Sequence, residues 1–179
     1  MGGIVLKSER IHIRSILYSD LEAIHNLHSL SETDRFNTLG IPENIEQTAA
    51  IINLWLSENN KEKIQKFTFA VELIEGKKFI GLIALNLGKE KFQTAEVWYK
   101  FHPAFWNKGY ATEALKKIID FGFKELKLYR IEAGCAIENI ASIKVLEKVG
   151  MIREGQKRKV LPLKTGWSDN FEYAILSTD

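Results

Sequence analysis

The sequence predicts a mixed fold of the α/β or α+β class, and three observations carry this prediction. Two segments with helical periodicity follow the first strand candidate. Three β-rich segments come next, separated only by short turn-forming stretches. A helix, a strand and a further helix then alternate before two C-terminal strand candidates. Because short turns rather than helices join the three central segments, they form an antiparallel meander, and a doubly wound sheet is excluded.

The predicted elements rest on simple signals. Strands alternate apolar and polar residues or run apolar, helices repeat apolar residues every three or four positions, and Gly, Pro and polar clusters separate them. Ser19 and Asp20 can cap the first helix, and Gly150 ends the last one. Strands are predicted at 10–16, 67–74, 79–87, 95–101, 129–137, 152–161 and 170–177. Helices are predicted at 21–30, 45–59, 109–125 and 140–149, with a loop at 31–44.

Length and composition limit the function classes. A chain of 179 residues is typical of one domain, predicted here to span 1–179. The net charge of +2 is too small to indicate a nucleic-acid partner. Cys135 is the only cysteine and lies in an apolar run, which predicts a buried, inert thiol. The four histidines show no metal-ligand spacing, so no metal is expected. No apolar run approaches the roughly 20 residues of a membrane span, and the expected location is cytoplasmic, with no membrane partner.

The segment WNKGYATEAL (106–115) lies where a predicted strand turns into a predicted helix. The first four N–H groups of a helix have no partner within it, and they attract anions. Gly109 and Ala111 leave this backbone accessible, and Lys108 adds a positive charge beside Asn107. The segment is therefore either a cradle for a pyrophosphate or a tight turn without a ligand. It matches neither the dinucleotide fingerprint nor GxxxxGK[ST], which argues against a nucleotide-binding protein.

Three motifs, in the expected order, resemble the GNAT superfamily of N-acetyltransferases. FHPAFWNKGYATEAL (101–115) resembles its acetyl-CoA motif V-x-P-x-x-[QR]-x-x-G-x-[GA]. Trp106 at the Gln/Arg position is similar to the RimJ/RimL-like branch, named for enzymes that acetylate the N-termini of ribosomal proteins. LKSERIHIRSILYSDLEAIHNL (6–27) resembles that branch's opening strand and helix. ENIASIKVLEKVGMIREG (138–155) resembles its N-x-x-S-x-x-V-x-E-K-x-G-F-x-x-E-G motif.

The resemblance implies a fold and a cofactor. The fold is a GNAT-type mixed, mostly antiparallel central sheet with a splayed strand pair and helices on both faces. The cofactor is acetyl-CoA, with coenzyme A as product. Its pantetheine arm is expected along the main chain of 98–101, its pyrophosphate on the N–H groups of 106–112, and its thiol near Asn139. The residues expected to bind it are Trp98, Tyr99, Lys100, Phe101, Trp106, Asn107, Lys108, Gly109, Tyr110, Ala111, Thr112, Asn139 and Ser142.

The resemblance also implies catalytic roles. Ser142 is expected to hydrogen-bond or protonate the leaving thiolate. The alternative, which needs no ligand, is that it is a helix-surface or capping serine. Many family members place a tyrosine four residues later for this purpose, but this chain has Leu146 there. Glu96 is the candidate proton acceptor for the amine, or else an exposed strand glutamate. Asn139 is a helix N-cap that can also contact the pantetheine arm. Direct transfer without an acyl-enzyme is expected, since no nucleophile-plus-base arrangement is visible.

The acceptor is expected to be a primary amine, either a protein N-terminal amino group or a small amine. Phe36 and Asn37, between the first two helices, are expected to line the acceptor cleft. Asp169 either holds a cationic amine or is a turn aspartate. The alternative function is a non-catalytic acyl-CoA-binding sensor or interaction module, which would not need Glu96 or Ser142. The protein is expected to be a monomer or a homodimer.

Overall fold

The computed structural model describes residues 4–179, so the first three residues of the predicted domain lie outside it. The strands are β1 (Val5–Lys7), β2 (Ile11–Ser15), β3 (Lys66–Leu73), β4 (Phe79–Leu87), β5 (Thr94–Phe101), β6 (Arg130–Ala136), β7 (Ile152–Leu163) and β8 (Gly166–Leu176). The α-helices are α1 (Leu21–Ser29), α2 (Ser31–Asp34), α3 (Ile45–Asn59), α4 (Tyr110–Lys124) and α5 (Ile140–Lys148).

The eight strands form one sheet in the order β1-β2-β3-β4-β5-β6-β8-β7. Every neighbouring pair is antiparallel except β5 and β6, which run parallel. The predicted meander of β3, β4 and β5 is confirmed, as is the mixed, mostly antiparallel sheet. Within residues 4–179, no helix combines the length and the apolar character needed to cross a membrane.

The parallel pair β5–β6 opens into a gap. The two strands pair only between residues 94–96 and 130–132. Beyond Glu96, β5 remains paired with β4 as far as Phe101, and β6 remains paired with β8 as far as Ala136. Each strand in the gap therefore has a neighbour on one edge only, and alternate N–H and C=O groups on its other edge point into the gap. This is the splayed strand pair that the family resemblance implies.

Apolar clusters cover both faces of the sheet. The larger cluster packs α4 and α5 against one face, with Leu115, Ile118 and Leu146 among its fully buried side chains. The smaller cluster packs α1 and α3 against the other face, around Leu27 and Ile52. The period-two alternation of strands explains this division. In β5, Val97 and Phe101 belong to the larger cluster and Trp98 packs against the smaller one.

The structure differs from the sequence prediction mainly in short or irregular segments. The predicted loop 31–44 begins with the single helical turn α2, where the hydroxyl of Thr33 donates to the carbonyl oxygens of Leu27 (2.6 Å) and Leu30 (2.9 Å). Four residues are too few to show a helical period. Strand β1 was not predicted because it has only three residues. Strand β8 begins at Gly166, because the hairpin with β7 continues beyond the apolar run.

Candidate active site

The start of α4 is a tight turn whose backbone is exposed. Gly109 is the N-cap residue, with φ 83° and ψ 0°, and Asn107 also has a positive φ of 59°. The N–H of Glu113 donates to the carbonyl of Gly109 (3.0 Å), which is the first bond of the helix. The N–H groups of 110–112 therefore lack intrahelical acceptors and point outward at the positive end of the helix dipole.

Side chains from the β1–β2 region hold this helix start in place. The guanidinium of Arg10 pairs with the carboxylate of Glu113, with Nε 2.8 Å from Oε2. Its Nη1 donates to the carbonyl of Lys108 (3.0 Å), and its guanidinium lies 4.5 Å from the centroid of the Tyr110 ring. The Lys108 amine bonds the carbonyl of Ala104 (2.9 Å). The turn is thus fixed by contacts from outside its own segment, which keeps its N–H groups oriented.

A cavity of about 660 Å³ extends from this helix start to the beginning of α5. Basic residues outnumber acidic ones in its walls, since Arg35, Lys100, Lys144 and Lys148 oppose Glu32 and Glu138. All the residues expected to bind acetyl-CoA line this cavity except Trp98 and Lys108. An elongated space with free N–H groups at one end, basic walls and an open strand edge fits a pyrophosphate joined to an amide-containing arm.

A second cavity of about 360 Å³ adjoins the first. It has aromatic walls from Phe36, Trp55 and Trp98, and polar amides from Asn37 and Asn170. Phe36 and Asn37, the residues predicted to line an acceptor cleft, are both in its walls, and their role in binding an acceptor stays a prediction. Both cavities are lined by Phe36, Asn37, Tyr99, Lys100, Asn139 and Ser142. These shared residues mark the place where molecules bound in the two cavities can meet.

A hydroxyl pair lies at this junction. The Oη atom of Tyr99 is 2.8 Å from Oγ of Ser142, and the side chain of Asn139 accepts a hydrogen bond from the N–H of Ser142 (3.2 Å). Burial raises the pKa of Tyr99 well above its usual value, so the phenol stays protonated at neutral pH. Sequence reasoning placed Tyr99 only as a main-chain contact and missed its hydroxyl. Tyr99 lies on β5 rather than on α5, which is why the exclusion of a tyrosine at Leu146 did not reveal it.

Cys135 also faces the smaller cavity, but it is not a nucleophile in this state. The side chain is buried, as the sequence analysis predicted, and burial raises the pKa of its thiol to about 11. A thiol with that pKa carries almost no thiolate at neutral pH. Among residues 4–179, no group of three or more His, Cys, Asp or Glu side chains is placed to hold a metal ion.

Three predicted site residues, Glu96, Lys108 and Asp169, line neither cavity. Glu96 is exposed and is the last β5 residue paired with β6, just before the strands separate. Asp169 accepts hydrogen bonds from the N–H of Lys159 (3.0 Å) and from Nε2 of Gln156 (2.7 Å), so its carboxylate supports the β7–β8 hairpin. Its neighbour Asn170 lines the smaller cavity instead. The structure therefore does not bring Glu96 and Asp169 together with the other candidates.

Comparisons with known proteins agree with this geometry. Residues 10–152 match the acetyltransferase (GNAT) domain family. The uncharacterized N-acetyltransferase YnaD of Bacillus subtilis (strain 168) is 35% identical, over 97% of this chain and 98% of its own length. A crystal structure of a GNAT-family acetyltransferase from Bacillus anthracis is 35% identical with a TM-score of 0.85, covering 98% of this chain and 100% of that one.

A more distant solved structure has the same fold. Mycobacterium smegmatis RimJ, solved in complex with CoA-disulfide, has a TM-score of 0.88 at 22% identity, covering 99% of this chain and 91% of that one. The family resemblance stated from the three motifs is thus confirmed, together with its fold and its cofactor. The chain belongs to the GNAT family of N-acetyltransferases, whose acetyl donor is acetyl-CoA.

Proposed function

We propose that the protein transfers an acetyl group directly from acetyl-CoA in the larger cavity to a primary amine in the smaller one. The observation that supports this most directly is the meeting of the two cavities at the Tyr99–Ser142 hydroxyl pair. A protein that only bound acyl-CoA would need the larger cavity. It would not need a second cavity opening onto the position of the thioester.

Acetyl-CoA binding follows from the backbone. The pyrophosphate binds the free N–H groups at the start of α4, where Gly109 keeps the approach open. The pantetheine amides bond the open edge of β5 beyond Glu96. Asn139 and Ser142, at the first turn of α5, lie at the thioester end.

The transfer is a displacement at the thioester carbonyl carbon. The neutral amine nitrogen forms the new C–N bond, a main-chain N–H of the open β5 edge stabilises the oxyanion, and the C–S bond then breaks. The hydroxyl of Ser142, hydrogen-bonded to the Tyr99 phenol, donates a proton to the departing sulfur. The amine must also lose a proton, since an α-amino group has a pKa of roughly 8 and a lysine one of about 10.4.

The smaller cavity limits the size of the acceptor. A volume of about 360 Å³ is at the lower end of ligand sites. It takes a small primary amine or the first residue or two of an extended chain. The proposed acceptors are therefore a protein N-terminal amino group or a small amine. Aromatic and amide walls favour a body that is flat or apolar with a few hydrogen-bonding groups.

The test measures thiol release from acetyl-CoA against a panel of amines, together with the thermal stability of the protein. The panel contains peptides with different N-terminal residues, free amino acids, polyamines and aminoglycosides. Acceptor-dependent thiol release, with the acetylated product detected by mass spectrometry, is expected. Stabilisation by acetyl-CoA without release for any amine would instead favour the acyl-CoA-binding module.

A further inference from the structure

Three buried residues have side-chain polar atoms that lack a hydrogen-bond partner. Among residues 4–179, the buried side-chain nitrogen and oxygen atoms without a partner are both ring nitrogens of His28, one carboxylate oxygen of Asp34 and Nζ of Lys100. These residues are only 3%, 2% and 6% exposed. Polar atoms this deeply buried are normally satisfied, so a cluster of unsatisfied ones beside a cavity indicates a place built for a polar ligand.

Lys100 has the decisive position within this cluster. It lies on the same face of β5 as Trp98, and it is the only residue of the three that lines both cavities. His28 lines only the smaller cavity, and Asp34 lines neither. Asp34 already pairs with Lys164 from the β7–β8 turn (2.7 Å). Lys100 therefore lies where the two cavities meet, and its amine is buried there without a hydrogen-bond partner.

The surroundings of Lys100 disfavour its charge. Burial lowers its pKa to about 8, although the negative charge of Asp34 on α2 partly opposes this. The other titratable groups in the walls of the smaller cavity are His28 from α1, Tyr99 from β5 and Cys135 from β6. The larger cavity, which Lys100 also lines, has the charged residues Glu32, Arg35, Glu138, Lys144 and Lys148 in its walls. Burial, with a smaller contribution from the Lys100 charge, lowers the pKa of His28 to about 4, so this ring is neutral near pH 7. Both hydroxyl and thiol groups are protonated there as well.

We propose that Lys100 is the general base of the acetyl transfer and that it selects amines of low positive charge. This rests on the proposed function. The Nζ lone pair takes one proton from the acceptor ammonium, and the freed amine nitrogen attacks the thioester carbon. The C–S bond breaks as Ser142 protonates the sulfur, and the second proton of the amine nitrogen, lost as the amide forms, restores the Ser142 hydroxyl. Lys100 then returns its proton to solvent.

The charge balance of the smaller cavity explains the selectivity. Among the described residues, Lys100 is the only Lys or Arg in its walls, and no Asp or Glu lines it. The charge of Lys100 is therefore not opposed by a carboxylate in these walls. A bound ammonium beside a charged Lys100 would place two positive charges together in a buried site, which is costly. We therefore expect only one of the two amines, Lys100 or the bound acceptor, to be protonated at a time. An α-amine, with a pKa of roughly 8, meets this condition, whereas a polyamine brings further positive charge.

The test compares Lys100→Met and Lys100→Arg with the wild type, using an alanine-initiated tetrapeptide, glycinamide and spermidine as acceptors. Lys66→Met is the matched control, since Lys66 is an exposed strand lysine that lines neither cavity. At pH 7 we expect kcat/KM to fall about 100-fold or more in both Lys100 variants, because a general base contributes about that much. The loss should shrink above the pKa of the acceptor, where free amine is available from solution. Acetyl-CoA affinity should stay within a few fold.

Arginine separates a base from a structural cation. Rescue by Lys100→Arg at pH 7 would overturn the proposal, because arginine keeps the charge but cannot give up its proton. A Lys100→Met enzyme with the rate and pH profile of the wild type would also overturn it. So would a Glu96→Gln enzyme that shows the pH-dependent loss of kcat/KM expected for Lys100→Met, if the Lys100 variants do not show it. If the wild type acetylates no amine, both this proposal and the proposed function fail. If it does so and Lys100→Met is unaffected, only this proposal fails.

A second measurement does not depend on activity. The unfolded state binds a proton at this lysine up to about pH 10.4, whereas the folded state releases it near pH 8. Stability of the wild type relative to Lys100→Met should therefore rise between these values. A melting-temperature difference that stays constant from pH 7.5 to pH 10 would contradict the lowered pKa on which the base role depends.

Discussion

Gly109 is the residue on which the proposed binding of acetyl-CoA depends most directly. Its φ of 83° lies in the left-handed region, and an added Cβ would lie 3.4 Å from Nη2 of Arg10. Gly109→Val should therefore strain the turn and displace Arg10, which orients it. We expect acetyl-CoA affinity to fall by roughly tenfold to a hundredfold, the equivalent of one or two charge-assisted hydrogen bonds.

Gly76→Val is the matched control for this prediction. Gly76 has a similar φ of 72° in the β3–β4 turn, and a Cβ there would contact nothing. Both variants should lose about 1–2 kcal/mol of stability from the left-handed backbone. Only Gly109→Val should lose affinity in a calorimetric titration with acetyl-CoA. Equal affinity in the two variants would show that the start of α4 does not bind the pyrophosphate.

In the proposed transfer, the Tyr99–Ser142 pair assists the departure of the thiolate. Ser142→Ala and Tyr99→Phe should each lower kcat about 100-fold, with the acetyl-CoA dissociation constant nearly unchanged. The double variant should be little worse than either single variant, because the two hydroxyls act as one unit. Steady-state kinetics with the best amine of the panel measure this. Full turnover in Ser142→Ala would exclude the serine as the proton donor.

At this scale the sequence identifies residues whose roles depend on local motifs. Gly109, Asn139 and Ser142 belong to recognisable segments, and each lines the larger cavity as expected. The roles of the Tyr99 hydroxyl and the Lys100 amine depend on what faces them from α5, α1 and α2. Those contacts join residues far apart in the chain, and neither periodicity nor motif spacing reports them. Glu96 shows the same limit. The alternation of residues along β5 predicts the face on which Glu96 lies, but it does not predict how far Glu96 is from the cavities.

Among the elements, we expect helix α5 to link stability to catalysis through its first turn. The side chain of Asn139 caps the helix by accepting from the N–H of Ser142 (3.2 Å). Asn139→Ala should cost about 1 kcal/mol of stability, the usual value of an N-cap. It should also lower acetyl transfer, because Ser142 lies in the turn that loses its cap.

Asn44 provides a control of the same kind for the helix-cap prediction. It caps α3 by accepting from the N–H of Gln47 (3.0 Å), and it lines neither cavity. Asn44→Ala should show the same loss of stability in chemical denaturation with kcat/KM unaltered. Equal kinetic effects in the two variants would mean that the cap of α5 has no special relation to the site.

The gap between β5 and β6 is the element-scale feature that a sequence pattern alone could not give. Alternation places Val97, Tyr99 and Phe101 on one face of β5 and Trp98 and Lys100 on the other. It does not say where pairing with β6 ends. Only the family resemblance predicted the separation, and the register, which stops at Glu96 and Glu132, confirms it.

For the whole molecule, acid stability should depend on His28. Its unfolded form binds a proton below about pH 6.5, whereas burial lowers the folded pKa to about 4. Between these values the unfolded state binds more protons, so stability falls as pH decreases through this range. The fall attributable to His28 is on the order of 2 kcal/mol.

His28→Leu isolates this contribution from that of the carboxylates. The variant keeps an apolar side chain against Trp55 but cannot bind a proton. Its stability relative to the wild type should increase as pH is lowered from 6.5 to 4, measured by urea denaturation at several pH values. A difference that does not change with pH would show that His28 titrates normally in the folded protein.

The order of strands and helices was predictable because long periodic segments dominate this chain. Seven of the eight strands and the longer helices follow from apolar alternation, turn residues and caps. The short elements β1 and α2 were not predictable, because they have too few residues for a period. Yet α2 carries Asp34 into the buried cluster beside Lys100, so a small unpredicted turn contributes to the electrostatics of the site.

Direct transfer between two adjoining cavities is tested most directly by a single-turnover experiment. The protein, in excess over acetyl-CoA labelled in its acetyl group, is mixed rapidly with the best amine of the panel and quenched at successive times. We expect the label to pass from acetyl-CoA to the amine with none bound covalently to the protein at any time. Label appearing on the protein before it reaches the amine, or label that never leaves acetyl-CoA, would contradict direct transfer at the junction of the two cavities.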